Sequence, residues 1–201
     1  VYVGIGNNLA ETMDVFLAAP ASGSYNVSVS NNGSAGPGRV MAAGVGSLNE
    51  DATTNIHGPL LLQVAATAAG EGRATAEAIG IGAGAGTVTA ETFNMSVKAT
   101  GGASYNAAKA IAHGISNGND NDGVQPVLNL GTANGSQSIL VAATGGIATG
   151  TTADISATAY AVENYGELTL HGTTAMSAQA KAGSIGSGGS PAAGAALGTA
   201  Y

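Results

Sequence analysis

Small and polar side chains alternate along much of this chain. In RATAEA, residues 73–78, Ala74, Ala76 and Ala78 alternate with Arg73, Thr75 and Glu77, and later Ala178, Ala180 and Ala182 alternate with Gln179 and Lys181. Tyr25 to Ser30, YNVSVS, has the same period. A repeat of two predicts β-strand, with the Ala face inward and the polar face in water. Helices are a poor fit, because the period is not 3.6 and each interior glycine costs about 1 kcal/mol.

The strands belong to a larger repeat. A Gly-Ile element recurs with its landmark at Ile5, Val45, Ile81, Ile115, Ile147 and Ile185, at spacings of 40, 36, 34, 32 and 38 residues. Before each later landmark stands a similar run: GRVMAAGV, GRATAEAIGI, NAAKAIAHGI, SILVAATGGI and SAQAKAGSI. After each comes a bulkier side chain, namely Phe16, Ile56, Phe93, Val127, Tyr160 and Leu197, which predicts one apolar column. A second set of alternating strands follows at Val27–Val29, Leu62–Val64, Met95–Val97, Leu128–Leu130 and Leu168–Leu170. Each copy therefore reads as two or three short strands joined by Gly-, Asn- and Ser-rich turns, unable to bury its apolar face alone. The predicted fold class is all-β: a parallel β-solenoid of about six imperfect repeats of 32–40 residues. An antiparallel β-sandwich of pilin-like type is the alternative. Residues 1–201 form a single β-repeat domain, either whole or a segment of a longer solenoid.

Composition narrows the picture. Charged residues are 8% and aromatics 4% of the chain, and there are 33 glycines, so the core must be thin and built from many small contacts. Positive mean hydropathy and low charge argue against disorder. A net charge of −7 with five basic residues argues against nucleic-acid and anionic-membrane partners. The absence of cysteine rules out disulfides and thiolate metal sites. The chain opens VYVGIGNN without a basic leader, and Pro59–Gln63, PLLLQ, is far too short to span a bilayer, so a soluble mature chain or fragment is expected.

With the Ala-x-Ala strands ending in Gly-Ile, the Asn-x-Gly turns and runs such as NYGELTL at residues 164–170, the chain resembles the β-solenoid repeat regions of large bacterial exoproteins of the haemagglutinin and autotransporter-adhesin type. The resemblance implies an exported, non-catalytic stalk or filament.

Candidate chemistry is sparse. GIGAGA at residues 80–85 fits a dinucleotide-binding turn, yet TVT follows where a helix should begin, so the glycines are expected to serve bends or close coil packing. The run SNGNDNDG at residues 116–123 gathers oxygen donors that suit Ca²⁺. Asp122 and Asp154 each fall seven residues after a landmark, and Glu11 and Asp51 six. Coils stacked at about 4.8 Å would make these an acidic ridge. Asp120, Asp122, Asp154 and Asn119 are the candidate ligands for Ca²⁺, and no cofactor is required. His57, His113 and His171 occupy different places relative to the landmarks and read as ordinary surface residues.

The expected function is thus extracellular or cell-surface and structural: a stalk or self-assembling fibre subunit whose partner is itself, end to end or laterally. An adhesive or carbohydrate-binding module with surface glycans as partners is the alternative. A β-helix glycan-active enzyme is the third reading.

Overall fold

The computed structural model describes residues 2–7, 11–17, 25–31, 38–47, 49–70, 72–118, 125–150, 154–185 and 196–200. These residues form a parallel β-solenoid, with no helix among them. Sheet A stacks β1 (Tyr2–Asn7), β4 (Gly38–Ser47), β6 (Arg73–Ala83), β8 (Ala107–Asn117), β12 (Asp154–Asn164) and β16 (Ala196–Ala200) in chain order. Sheet B places β2 (Thr12–Phe16) and β3 (Tyr25–Asn31) on β5 (Thr53–Gly70), and β5 on β7 (Thr87–Ser104). Against β7 lie β9 (Val127–Leu130), β10 (Ser136–Thr144) and β11 (Ile147–Ala148). These carry β13 (Glu167–Leu170), β14 (Thr173–Lys181) and β15 (Ser184–Ile185) respectively. Every one of these pairings is parallel.

Ile5, Val45, Ile81 and Ile115 stand one above another, as the landmark spacing predicts. The fifth place in this column belongs to Val162, not Ile147. Ile147 lies in sheet B between Ala103 and Ser184, and Ile185 pairs with Ala148. The fourth winding is longer than its neighbours, and its sheet-B part is split into β9, β10 and β11. The small-residue alternation of β10 and β14 suits the inner face of either sheet, so the local pattern there does not reveal which sheet it joins.

The interior sets small against large. Sheet A contributes inward columns such as Val40–Ala76–Ala110–Ala157 and Ala42–Ala78–Ala112–Ala159. Sheet B supplies Leu62–Met95–Ile139 and Val64–Val97–Val141, all buried. The predicted single bulky column does not form. Phe16 pairs with His57 and is 77% exposed, Ile56 with Ala90, Phe93 with Leu60, Val127 with Thr87, Tyr160 with His113, and Leu197 with Ser156. Parallel pairing fixes the residue opposite each side chain, and the coils bend at slightly different places, which separates these positions.

The Gly-Ile element has a packing cause. Along β6, Ala74, Ala76 and Ala78 point inward, and then Gly80 and Ile81 are both buried. A Cβ on Gly80 would lie 2.5 Å from the Gly114 carbonyl oxygen and 2.6 Å from Met95 Sδ, so only glycine lets the coils close here. Gly114 meets Ile139 in the same way. Gly86, at the end of the same run, does need the left-handed region, with φ 76°.

Candidate functional sites

Parallel register gathers polar side chains from successive coils into three outer clusters. Near the first coil, His57 bridges β2 and β7. Its Nδ1 lies 3.0 Å from Glu91 Oε1, its Nε2 lies 3.7 Å from Asp14 Oδ1, and its ring stacks on Phe16 at 4.7 Å between centroids. Gly58 N donates to Glu91 Oε2 at 2.9 Å, and Asn55 Nδ2 donates to Asp14 Oδ1 at 2.9 Å. The hydrogen bond to Glu91, assisted by both carboxylates, raises the His57 pKa above 6.5. Glu91 is shifted below its usual range, first by the Gly58 amide and then by His57.

The second cluster lies on the outer face of sheet A. His113 is 7% exposed and its ring stacks on Tyr160 at 5.0 Å. Nδ1 stands 3.0 Å from Glu163 Oε2 without hydrogen-bond alignment, so proximity there is electrostatic. Burial pushes the His113 pKa below 6.5, against the opposing pull of Glu163 and Glu77. His113 is therefore a half-core residue and not the surface histidine that its sequence position suggests. His171 is exposed, and the three histidines share no site.

The third cluster is cationic. Arg39 donates to Glu77 Oε2 at 3.0 Å, and Lys109 pairs with Asp154. Of the four sequence-derived calcium ligands, Asp120, Asp122 and Asn119 lie outside the described residues. Asp154 opens β12 beside Ala107 and is engaged by Lys109. Because Val162 takes the landmark place, Asp154 does not stand seven residues after a stacked landmark, and the counting that set it over Asp122 fails. Among the described residues, no group of three His, Asp or Glu side chains could hold a metal ion.

Asp14, Glu77, Glu91 and Asp154 are each engaged in a hydrogen bond or ion pair of their own. Sequence reasoning missed these clusters because partners 34 to 50 residues apart meet only when coils stack; an explicit alignment of β6 with β8 would have placed Arg73 and Lys109 on one face. GIGAGA lies on β6 and its following turn, before strand β7, with no helix to receive a phosphate. No protein-family model, curated protein or solved structure matches the chain.

Proposed function

We propose that this is a non-catalytic extracellular structural protein, a surface stalk or self-assembling fibre subunit, in which backbone pairing joins coil to coil and chain to chain. One observation carries the reading. In the inner column Leu62–Met95–Ile139–Met176, the first three residues are 3%, 3% and 0% exposed, whereas Met176 is 44% exposed. Met176 lies on β14, which among the described residues is paired on one side only. β16 extends sheet A one strand past this level, leaving a step that an added parallel strand would complete. Likeness to the repeat regions of haemagglutinin-type bacterial exoproteins supports an exported role.

The test is assembly. Negative-stain microscopy and sedimentation across a wide concentration range are expected to show fibres that lengthen with concentration, and Met176→Glu is expected to shorten or abolish them. A wild-type chain that stays monomeric and fibre-free throughout would overturn self-assembly.

A further inference from the structure

The outer face of sheet A carries a groove lined by Arg73, Thr75, Asn106, Ala107, Lys109 and Asp154. Its composition is unusual for this chain. Of five basic residues in a protein of net charge −7, two, Arg73 and Lys109, line it, and a third, Arg39, lies on the adjacent strand. Register brings them together, since Arg39 pairs with Thr75, Thr75 with Lys109, and Arg73 with Ala107 beside Asp154. Arg39 is neutralised by Glu77, and Lys109 by Asp154. Arg73 is exposed and makes no ion pair among the described residues. The groove thus keeps one uncompensated positive charge, on the side chain best shaped to grip a carboxylate with two parallel N–H donors.

Beyond Arg73, the lining is hydrogen-bonding chemistry and the Lys109–Asp154 ion pair on a fixed backbone. Asn106 N and Ala107 N both donate to the Gly72 carbonyl, at 2.6 and 3.1 Å, and Asp154 N donates to the Asn106 carbonyl at 2.8 Å. Three successive coils are therefore tied at the rim. The Asn106 amide, the Thr75 hydroxyl and the half-exposed Asp154 carboxylate together offer donors and acceptors of the kind that bind sugar hydroxyls. A phosphate dianion fits less well, because Arg73 is the one cation of the groove left uncompensated, Lys109 being paired with Asp154. The chain's other acidic groups weigh little at this distance, being screened beyond about 8 Å at physiological salt.

We propose that this groove binds a sugar carrying one carboxylate, with Arg73 holding the carboxylate, Lys109 supporting it, and Asn106, Thr75 and Asp154 taking hydroxyl groups. The site does not depend on fibre assembly and gives a structural protein a specific point of attachment to acidic glycans.

The experiment titrates the full ¹⁵N-labelled chain with D-galacturonate, D-galactose and inorganic sulfate, following the backbone amides of Arg73, Asn106 and Ala107. Galacturonate is expected to shift them saturably. Galactose should bind at least about tenfold more weakly, the discrimination one charge-assisted pair supplies. Arg73→Gln should lose about tenfold in galacturonate affinity while its remaining spectrum stays native, and Lys98→Ala, on the exposed face of sheet B, should bind like the wild type. Polygalacturonate binding more tightly than the monomer assigns the site to a glycan, and equal or weaker binding to a free sugar acid. Galactose binding as well as galacturonate, sulfate binding as well as galacturonate, or an Arg73→Gln variant with wild-type affinity would each overturn the proposal.

Discussion

His57 and His113 couple protonation to folding with opposite sign, because one is exposed between two carboxylates and the other is buried. His57 has a raised folded-state pKa, so its contribution is fully present below the unfolded value of about 6.5 and is lost as pH rises through the folded value. That contribution ties the first coil to the next two, through Asp14 on β2 and Glu91 on β7. His113 has a lowered value, so the unfolded chain takes up its proton first, and stability present above about 6.5 is lost as pH falls through that value towards the lower folded one. An NMR titration of both rings is expected to place His57 above and His113 below 6.5. Glu91→Gln should bring His57 back down, and His113→Gln should flatten the loss of stability between pH 6.5 and more acidic conditions in urea melts. A His113 that titrates above 6.5 would contradict the burial argument.

At the scale of the element, strand existence was legible and strand partnership only partly so. The Ala74–Ala76–Ala78 face of β6 and the stacking of Ile81 on Ile115 follow from period and spacing, because one face of each strand must be buried and a parallel coil repeats at nearly constant length. The placement of β10 and β14 was not legible, since SILVAAT and MSAQAK carry the same small-residue period as the strands of sheet A. The longer fourth winding displaced the landmark count, and Asp154 moved with it. The role of glycine was half legible: recurrence marked the Gly-Ile element, while only packing separates Gly80, held by close approach, from Gly86, held by its φ. Gly80→Ala, and likewise Gly114→Ala, is expected to cost about 1–3 kcal/mol as overpacking against Met95 and Ile139. Gly82→Ala, whose Cβ would meet Ile79 Cγ2 at 3.1 Å and no nearer backbone atom than the Ser116 carbonyl at 3.4 Å, should cost less. Urea melts giving equal stability for Gly80→Ala and Gly82→Ala would refute the close-approach account.

In the whole molecule each coil touches only its neighbours, so stability is expected to be distributed as in a one-dimensional stack. Interior strands have partners on both flanks, as β6 has β4 and β8, and β7 has β5 on one side and β9, β10 and β11 on the other. Strands β2, β13 and β14 have a partner on one flank among the described residues. Amide hydrogen exchange should therefore be slowest in β6, β7 and β8 and faster by orders of magnitude in β2 and β13, with β14 slowing on fibre formation. Uniform exchange across all strands would mean that the chain opens as one cooperative unit. The same geometry builds the outer clusters, since a side chain meets its counterpart one coil away and not its sequence neighbours.

Period-two patterning, recurrent Gly-Ile elements and a scarcity of large side chains were enough to determine a parallel β-solenoid with a thin, Ala-lined interior. Those are local consequences of which face is apolar and how often the chain must turn. Only the tertiary structure decided which strands share a sheet, that Val162 and not Ile147 completes the stacked column, and that Arg73, Asn106, Lys109 and Asp154 line one groove. The reason is physical: registry between coils depends on the length of every intervening turn, and a change of a few residues in one winding moves each later side chain to a new partner.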